Sequence, residues 1–170
     1  EMLCASCIGQ PPLHGGISAV LAYDNVSAQI ALRLKYGGRI GLASMIAAHL
    51  VKYLPPDRED YLIIPVPLHW TRIWSRGYNQ AALIGGVLAR MGGMIFVPDM
   101  LRRVRRTPPL RRMTGREREA ILKGAFAVHP KWANRLHDKK IILVDDVYTS
   151  GATTNACIKL LKKAGTSEVR

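Results

Sequence analysis

The residues best suited to chemistry are two adjacent acids, Asp145 and Asp146, followed closely by Thr149, Ser150, Gly151, Ala152 and Thr153. Neighbouring carboxylates repel each other and lose solvation at the end of a buried strand, so something must reward them. Ribose hydroxyls or a hydrated Mg²⁺ would do so. The run of Thr, Ser, Gly, Ala and Thr supplies hydroxyls. If it opens a helix, it also supplies free backbone N–H groups at the positive end of the helix dipole, a cradle for a phosphate monoester. Gly151 lets the backbone come close to the phosphate with no Cβ in the way. Only Val147 and Tyr148 separate acids from cradle, so one segment can hold the hydroxyls and the 5-phosphate of a single ribose. A strand ending in two acids also resembles the Walker B element of an NTPase, but the chain has no GxxxxGK[ST] segment to hold nucleotide phosphates. The purely structural alternative is that the acids cap the helix that follows.

These residues need a strand before them and a helix behind them. Residues 140–144 read as a strand whose last four residues, 141–144, form an unbroken aliphatic run, as expected of a strand covered on both faces, and residues 153–164 return to helical spacing through Ala156, Leu160 and Leu161. In an open α/β sheet, ligands bind beyond the carboxyl ends of the strands, which is where the acids fall. Upstream, Val26, Ile30 and Leu34 predict a helix over 26–36, started by Asp24 or Asn25 and ended by Gly37 and Gly38. A second helix is expected over 42–54, stopped by Pro55 and Pro56. Residues 61–66 read as a buried strand with a forced turn at Pro65 and Pro67, and 79–91 as a helix weakened by Gly85 and Gly86. Short strands are expected at 94–97 and 124–128, and another is starting where the chain stops, which reads as a fragment trimmed at both ends. Strands alternating with helices predict an α/β fold with a mostly parallel sheet.

The chain has 170 residues, 48% of them hydrophobic, enough for one domain with a real core. Residues 1–18 read as a linker or broken metal knuckle before a domain over 19–170. No apolar run is long enough to span a bilayer and only three cysteines are present, so a soluble, cytoplasmic protein without membrane insertion is expected. The net charge is +13, and residues 102–123 carry nine Lys or Arg against two acids. A polyanion partner, whether nucleotide phosphate, pyrophosphate or single-stranded nucleic acid, answers such a field; a solvated basic loop is the alternative.

The string IILVDDVYTSGAT over 141–153 resembles the motif by which type I phosphoribosyltransferases bind 5-phosphoribosyl-1-pyrophosphate (PRPP). The segments LKYGG over 34–38, IIPVPLH over 63–69, RGYNQ over 76–80, RTPP over 106–109 and GAF over 124–126 narrow the likeness to the ComF family, associated with natural competence and DNA uptake. The resemblance implies a type I phosphoribosyltransferase fold and an Mg-dependent enzyme that transfers a phosphoribosyl group to an unknown acceptor and releases pyrophosphate. Asp145 and Asp146 would hold the ribose 2′- and 3′-hydroxyls and Mg²⁺, directly or through water, and Thr149 to Thr153 the 5-phosphate. Val66, Pro67, Leu68 and His69 would form a pyrophosphate loop, with Arg72 and Arg76 nearby to neutralise charge.

If the stretch after Pro67 is helical, Arg72 and Arg76 share one face while Trp70 and Trp74 share another, where they either pack or stack bases. His69 is expected as a hydrogen-bonded structural residue rather than a catalyst, and Lys35 as a charge at a helix C-terminus. Residues 102–118 would be a basic mobile loop closing over PRPP. The chain departs from the family at Leu110, where Gln is common, and at Ile121, where Asn is common. Cys4 and Cys7 are half of the family's four-cysteine zinc knuckle, so zinc is expected only in a longer chain; Cys157 is expected in the core. The alternative function is a non-catalytic competence accessory factor that binds single-stranded DNA or nucleotide through the pocket and basic loop, with other competence proteins as partners.

Overall fold

The computed structural model describes residues 11–22, 24–36, 41–108 and 113–170. A parallel sheet lies at its centre, in the order β2 (Ile95–Phe96), β1 (Tyr61–Pro65), β5 (Lys140–Val144) and β6 (Glu168–Val169). Residues 61 to 65 pair one to one with 140 to 144, which brings the chain after β1 and the chain after β5 side by side. A separate antiparallel pair is formed by β3 (Leu101–Arg103) and β4 (Phe126–Val128). The architecture is α/β with a mostly parallel central sheet, as its alternating pattern implies.

Strand alternation divides the core in two. Ile63, Ile142 and Val144 pack with α1 (Asn25–Tyr36), α2 (Gly41–Leu50) and α4 (Gln80–Gly92), through Leu34, Ala43, Ala47, Ile84 and Leu88. On the other face Ile64 and Ile141 pack against β3, β4 and α6 (Ala152–Lys163), where Cys157, Ile158 and Leu161 are buried. Gly85 has a reason to sit inside α4: a Cβ there would lie 3.0 Å from the Phe96 ring and 3.4 Å from the Ile63 side chain, so glycine sets how closely helix and sheet approach.

Helix ends follow local chemistry. Asp24 Oδ1 accepts from Ser27 N at the start of α1, and Asn79 caps α4 by accepting from Ala81 N while its amide donates to Val66 O. The second predicted helix turns 3-10 at Val51–Tyr53 before Pro55. The helix considered after Pro67 is present as α3 (Trp70–Arg76), while the strand β3 and the helix α5 (Gly115–Leu122) lie where the pattern reads as loop.

The last two correct the expectation of a basic loop over 102–118. Leu101, Arg102 and Arg103 pair with Val128, Ala127 and Phe126, and Thr114 and Glu117 form a capping box that starts α5. Cys4, Cys7, the Gly37 and Gly38 terminator and Leu110 lie outside the described residues. Within the leading segment, Gly15 N donates to Val169 O, beside β6. No helix among the described residues is long and apolar enough to cross a membrane.

Candidate functional site

The acids stand at the carboxyl end of β5, and the alternation of the strand sends them to opposite faces. Asp145 turns toward α6, near enough to Arg103 and Cys157 to act on their charge states. Asp146 turns toward α1, where Lys35 Nζ lies 3.0 Å from its Oδ2. Asp146 N donates to Asp145 Oδ1 at 2.8 Å. Burial first, and the Asp146 charge second, push the Asp145 carboxyl up to about 8, with the Lys35 charge pulling the other way.

The turn from loop to helix expected at residues 149–153 is present. Gly151 is the N-cap of α6 with φ 69°, the left-handed region that glycine enters without cost. A Cβ there would also meet the Tyr148 hydroxyl at 2.5 Å, so the ring of Tyr148 and the bare backbone of Gly151 fit only as a pair. No side chain caps the helix, which leaves its first N–H groups to solvent or a ligand. Thr154 Oγ1 and Asn155 N both donate to Gly151 O and fix the turn.

Asp145 and the loop share a cleft of about 840 Å³, lined by Asp145, Val147 to Thr154 and five cations, Lys35, Arg72, Arg76, Arg103 and Arg118; Asp146 does not line it and is tied to it through Lys35. The five cations come from four elements. Arg72 and Arg76 are one turn apart on α3; Arg72 reaches Thr107 O at 3.4 Å, and Arg76 reaches Gln80 Oε1 at 3.4 Å. Arg103 extends from β3 to the Thr107 hydroxyl and lies over the Phe126 ring. Arg118, on α5, donates to Ser150 Oγ in the cradle at 2.7 Å. Burial, then the neighbouring Arg72 charge, hold the Arg103 guanidinium below its ordinary value. Nε of both Arg103 and Arg118 is buried with no hydrogen-bond partner among the described residues. Cations crowded in this way favour any anion that enters.

The predicted second loop sits differently. Val66, Pro67, Leu68 and His69 do not line this cleft; Val66 is buried and spends its N–H on Val144 O. His69 is buried and caps α3, its Nδ1 2.9 Å from Thr71 Oγ1, the structural role expected of it. The α3 faces are as predicted, but Trp70 and Trp74 do not pack: they are 62% and 84% exposed. Cys157 is buried in the core, and burial pushes its thiol well up, so it is inert. Lys35 is more than a helix-end charge, and Arg103 and Arg118 were hidden in a run that reads as one basic stretch. The Thr114 to Glu117 spacing was the available signal for α5, and with it for the direction of Arg118.

No family model matches the chain. It is 30% identical over 173 residues to "Competence protein F" of Haemophilus influenzae, spanning 98% of this chain and 75% of that protein. It is 28% identical to "DNA utilization protein YhgH" of Escherichia coli K12, over 98% of this chain and 74% of that one. "Competence protein ComFC" of Streptococcus pneumoniae is 28% identical over 89% of this chain and 64% of its own length. These full-span likenesses agree with the segments distributed from Leu34 to Thr153, and the chain belongs to the ComF family of competence and DNA-utilization proteins.

Proposed function

We propose that this protein is an Mg-dependent phosphoribosyltransferase of type I fold that binds PRPP and transfers its phosphoribosyl group to an acceptor. The observation that carries the reading is the placement of an acid pair and a Gly151 loop on one strand-loop-helix unit, with Asp145 and the loop lining a cleft of five cations. PRPP has the matching parts: vicinal ribose hydroxyls, a 5-phosphate and a pyrophosphate. Asp145 and Asp146 accept from the 2′- and 3′-hydroxyls. The hydroxyls of Thr149, Ser150 and Thr153 and the N–H groups that open α6 hold the 5-phosphate. Arg72 and Arg76 face the pyrophosphate and lower its charge as it leaves. The acceptor bonds to C1 while the bond from C1 to pyrophosphate oxygen breaks, and the electron pair departs with pyrophosphate. Catalysis then comes from positioning and charge neutralisation, and Arg118, drawing α5 onto the cradle, helps keep water from an oxocarbenium-like centre.

The acid pair fits Mg²⁺ in donor type: both are hard carboxylates, and Asp146 Oδ2 is buried with no hydrogen bond. The described residues hold no group of three His, Cys, Asp or Glu able to bind a metal, so ribose hydroxyls and phosphate oxygens would complete the shell. Bound there, Mg²⁺ would screen the leaving pyrophosphate.

Calorimetric titration with PRPP and Mg²⁺ tests the reading. Wild type binds, and the double variant Asp145→Asn, Asp146→Asn loses at least about tenfold in affinity, about 1.4 kcal/mol. Absence of heat with wild type, or equal affinity in the variant, sinks it. Pyrophosphate release across a panel of bases and amines then separates an enzyme from a binder.

The exposed Trp70 and Trp74 favour a second reading, in which the protein handles single-stranded DNA, consistent with relatives named for competence and DNA utilization. Bases would stack on the two indoles while the arginines on the opposite face of α3 take phosphates. If Trp70→Ala, Trp74→Ala leaves the affinity for a labelled oligonucleotide unchanged, this reading fails.

A further inference from the structure

The Lys35 ammonium is placed with more care than a helix-end charge requires. Leu34, beside it, is 1% exposed in the core, and Leu34 O accepts from the Tyr78 hydroxyl at 2.7 Å, which anchors the last turn of α1. Lys35 Nζ then lies 3.0 Å from Asp146 Oδ2, with the two side chains only 24% and 15% exposed. A pair so sheltered is screened far less than a surface pair. The same oxygen is buried and accepts no hydrogen bond, so the ammonium holds it by charge rather than by a directed bond, a contact that a stronger partner can displace.

We infer that Lys35 is the built-in counter-ion of Asp146: it occupies the position where a divalent cation would meet that carboxylate, so that the site refuses free metal and admits it only together with an anionic ligand. The inference rests on the PRPP reading for the identity of that ligand, and on geometry for the rest. Asp146 faces Lys35, and Lys35 lines one cleft together with Asp145 and four arginines. Such a field repels a bare dication and attracts a metal carried by polyphosphate, whose complex remains negative. With two carboxylates and no third acidic or imidazole ligand among the described residues, little compensates a free metal for displacing Lys35. When the polyphosphate brings its own charge, the ammonium is released from Asp146 and is free to turn to the ligand.

Mn²⁺ alone, titrated into the protein without PRPP and followed by electron paramagnetic resonance, reads this directly. Wild type and Lys35→Arg bind Mn²⁺ weakly and alike. Lys35→Gln, which keeps length and removes charge, gains one site at least about tenfold tighter, and adding Asp146→Asn to it removes that site. Equal Mn²⁺ affinity in wild type and Lys35→Gln overturns the inference. So does tight Mn²⁺ binding by wild type, an outcome that needs no variant to fold. PRPP affinity is measured separately on wild type: its absence would end the phosphoribosyl reading while the Mn²⁺ comparison stands on its own.

Discussion

At the residue scale, burial and the neighbouring Asp146 charge raise the Asp145 carboxyl above the ordinary carboxylate range. The sign of its effect on stability follows from linkage. A folded-state value above the unfolded one means that the native chain holds the proton more tightly. The contribution is therefore fully present below the ordinary value of 3.8 and is lost as pH rises through the raised one. Asp145→Asn imitates the protonated acid and still accepts from Asp146 N. In thermal melts without ligand, the variant is expected to be more stable than wild type, by a margin that widens from pH 5 to pH 8. A constant margin would show that the carboxyl is not held protonated. If the proposed PRPP site holds, the same substitution should also weaken PRPP, a trade of stability for function common at functional groups. Gly151 answers to a comparable constraint: Gly151→Ala would meet both an unfavourable φ and the Tyr148 hydroxyl.

At the scale of elements, the strand β5, the helix α6 and the loop between them are legible in residues 140–164, because an unbroken aliphatic run followed by acids and a Thr-Ser-Gly-Ala-Thr start has few other readings. The site was half legible for the same reason: Asp145, Asp146 and the cradle adjoin in sequence, whereas Lys35, Arg103 and Arg118 reach them only through tertiary packing. The density of arginine in 102–123 hid β3 and α5, since charge patterning reports solvation and says little about pairing. The three-residue β3 exists because β4 is there to pair with it; no local signal could supply that. The capping box was local, and its weight can be measured. Thr114→Ala removes the side-chain acceptor of Glu117 N, costing about 1 kcal/mol and about 3 °C in Tm for a chain of this size. Hydrogen exchange should quicken across 115–122 and PRPP affinity should fall with the hold on Arg118. Unchanged exchange there would mean that α5 is kept by its contact with α6 alone.

The whole molecule carries +13 in 170 residues, and its field acts on any polyanion before a specific contact forms. For a short labelled single strand, the logarithm of affinity should fall linearly with the logarithm of salt concentration. If all five cleft cations meet phosphates, the slope is about −3.5. Anisotropy across a KCl series measures it, and a flat response would exclude an electrostatic role for the cleft in DNA binding. The seven residues of α3 also give the protein an optical property. Of its three tryptophans, Trp132 donates to Asp99 at 3.1 Å, while Trp70 and Trp74 stand in solvent on the reverse side of the helix that carries Arg72 and Arg76. Native emission is therefore expected to carry a red-shifted, quencher-accessible component from these two indoles on the helix that borders the cleft. A change in the colour of that fluorescence on adding a polyanion would report, in the unlabelled protein, that the ligand reaches this helix.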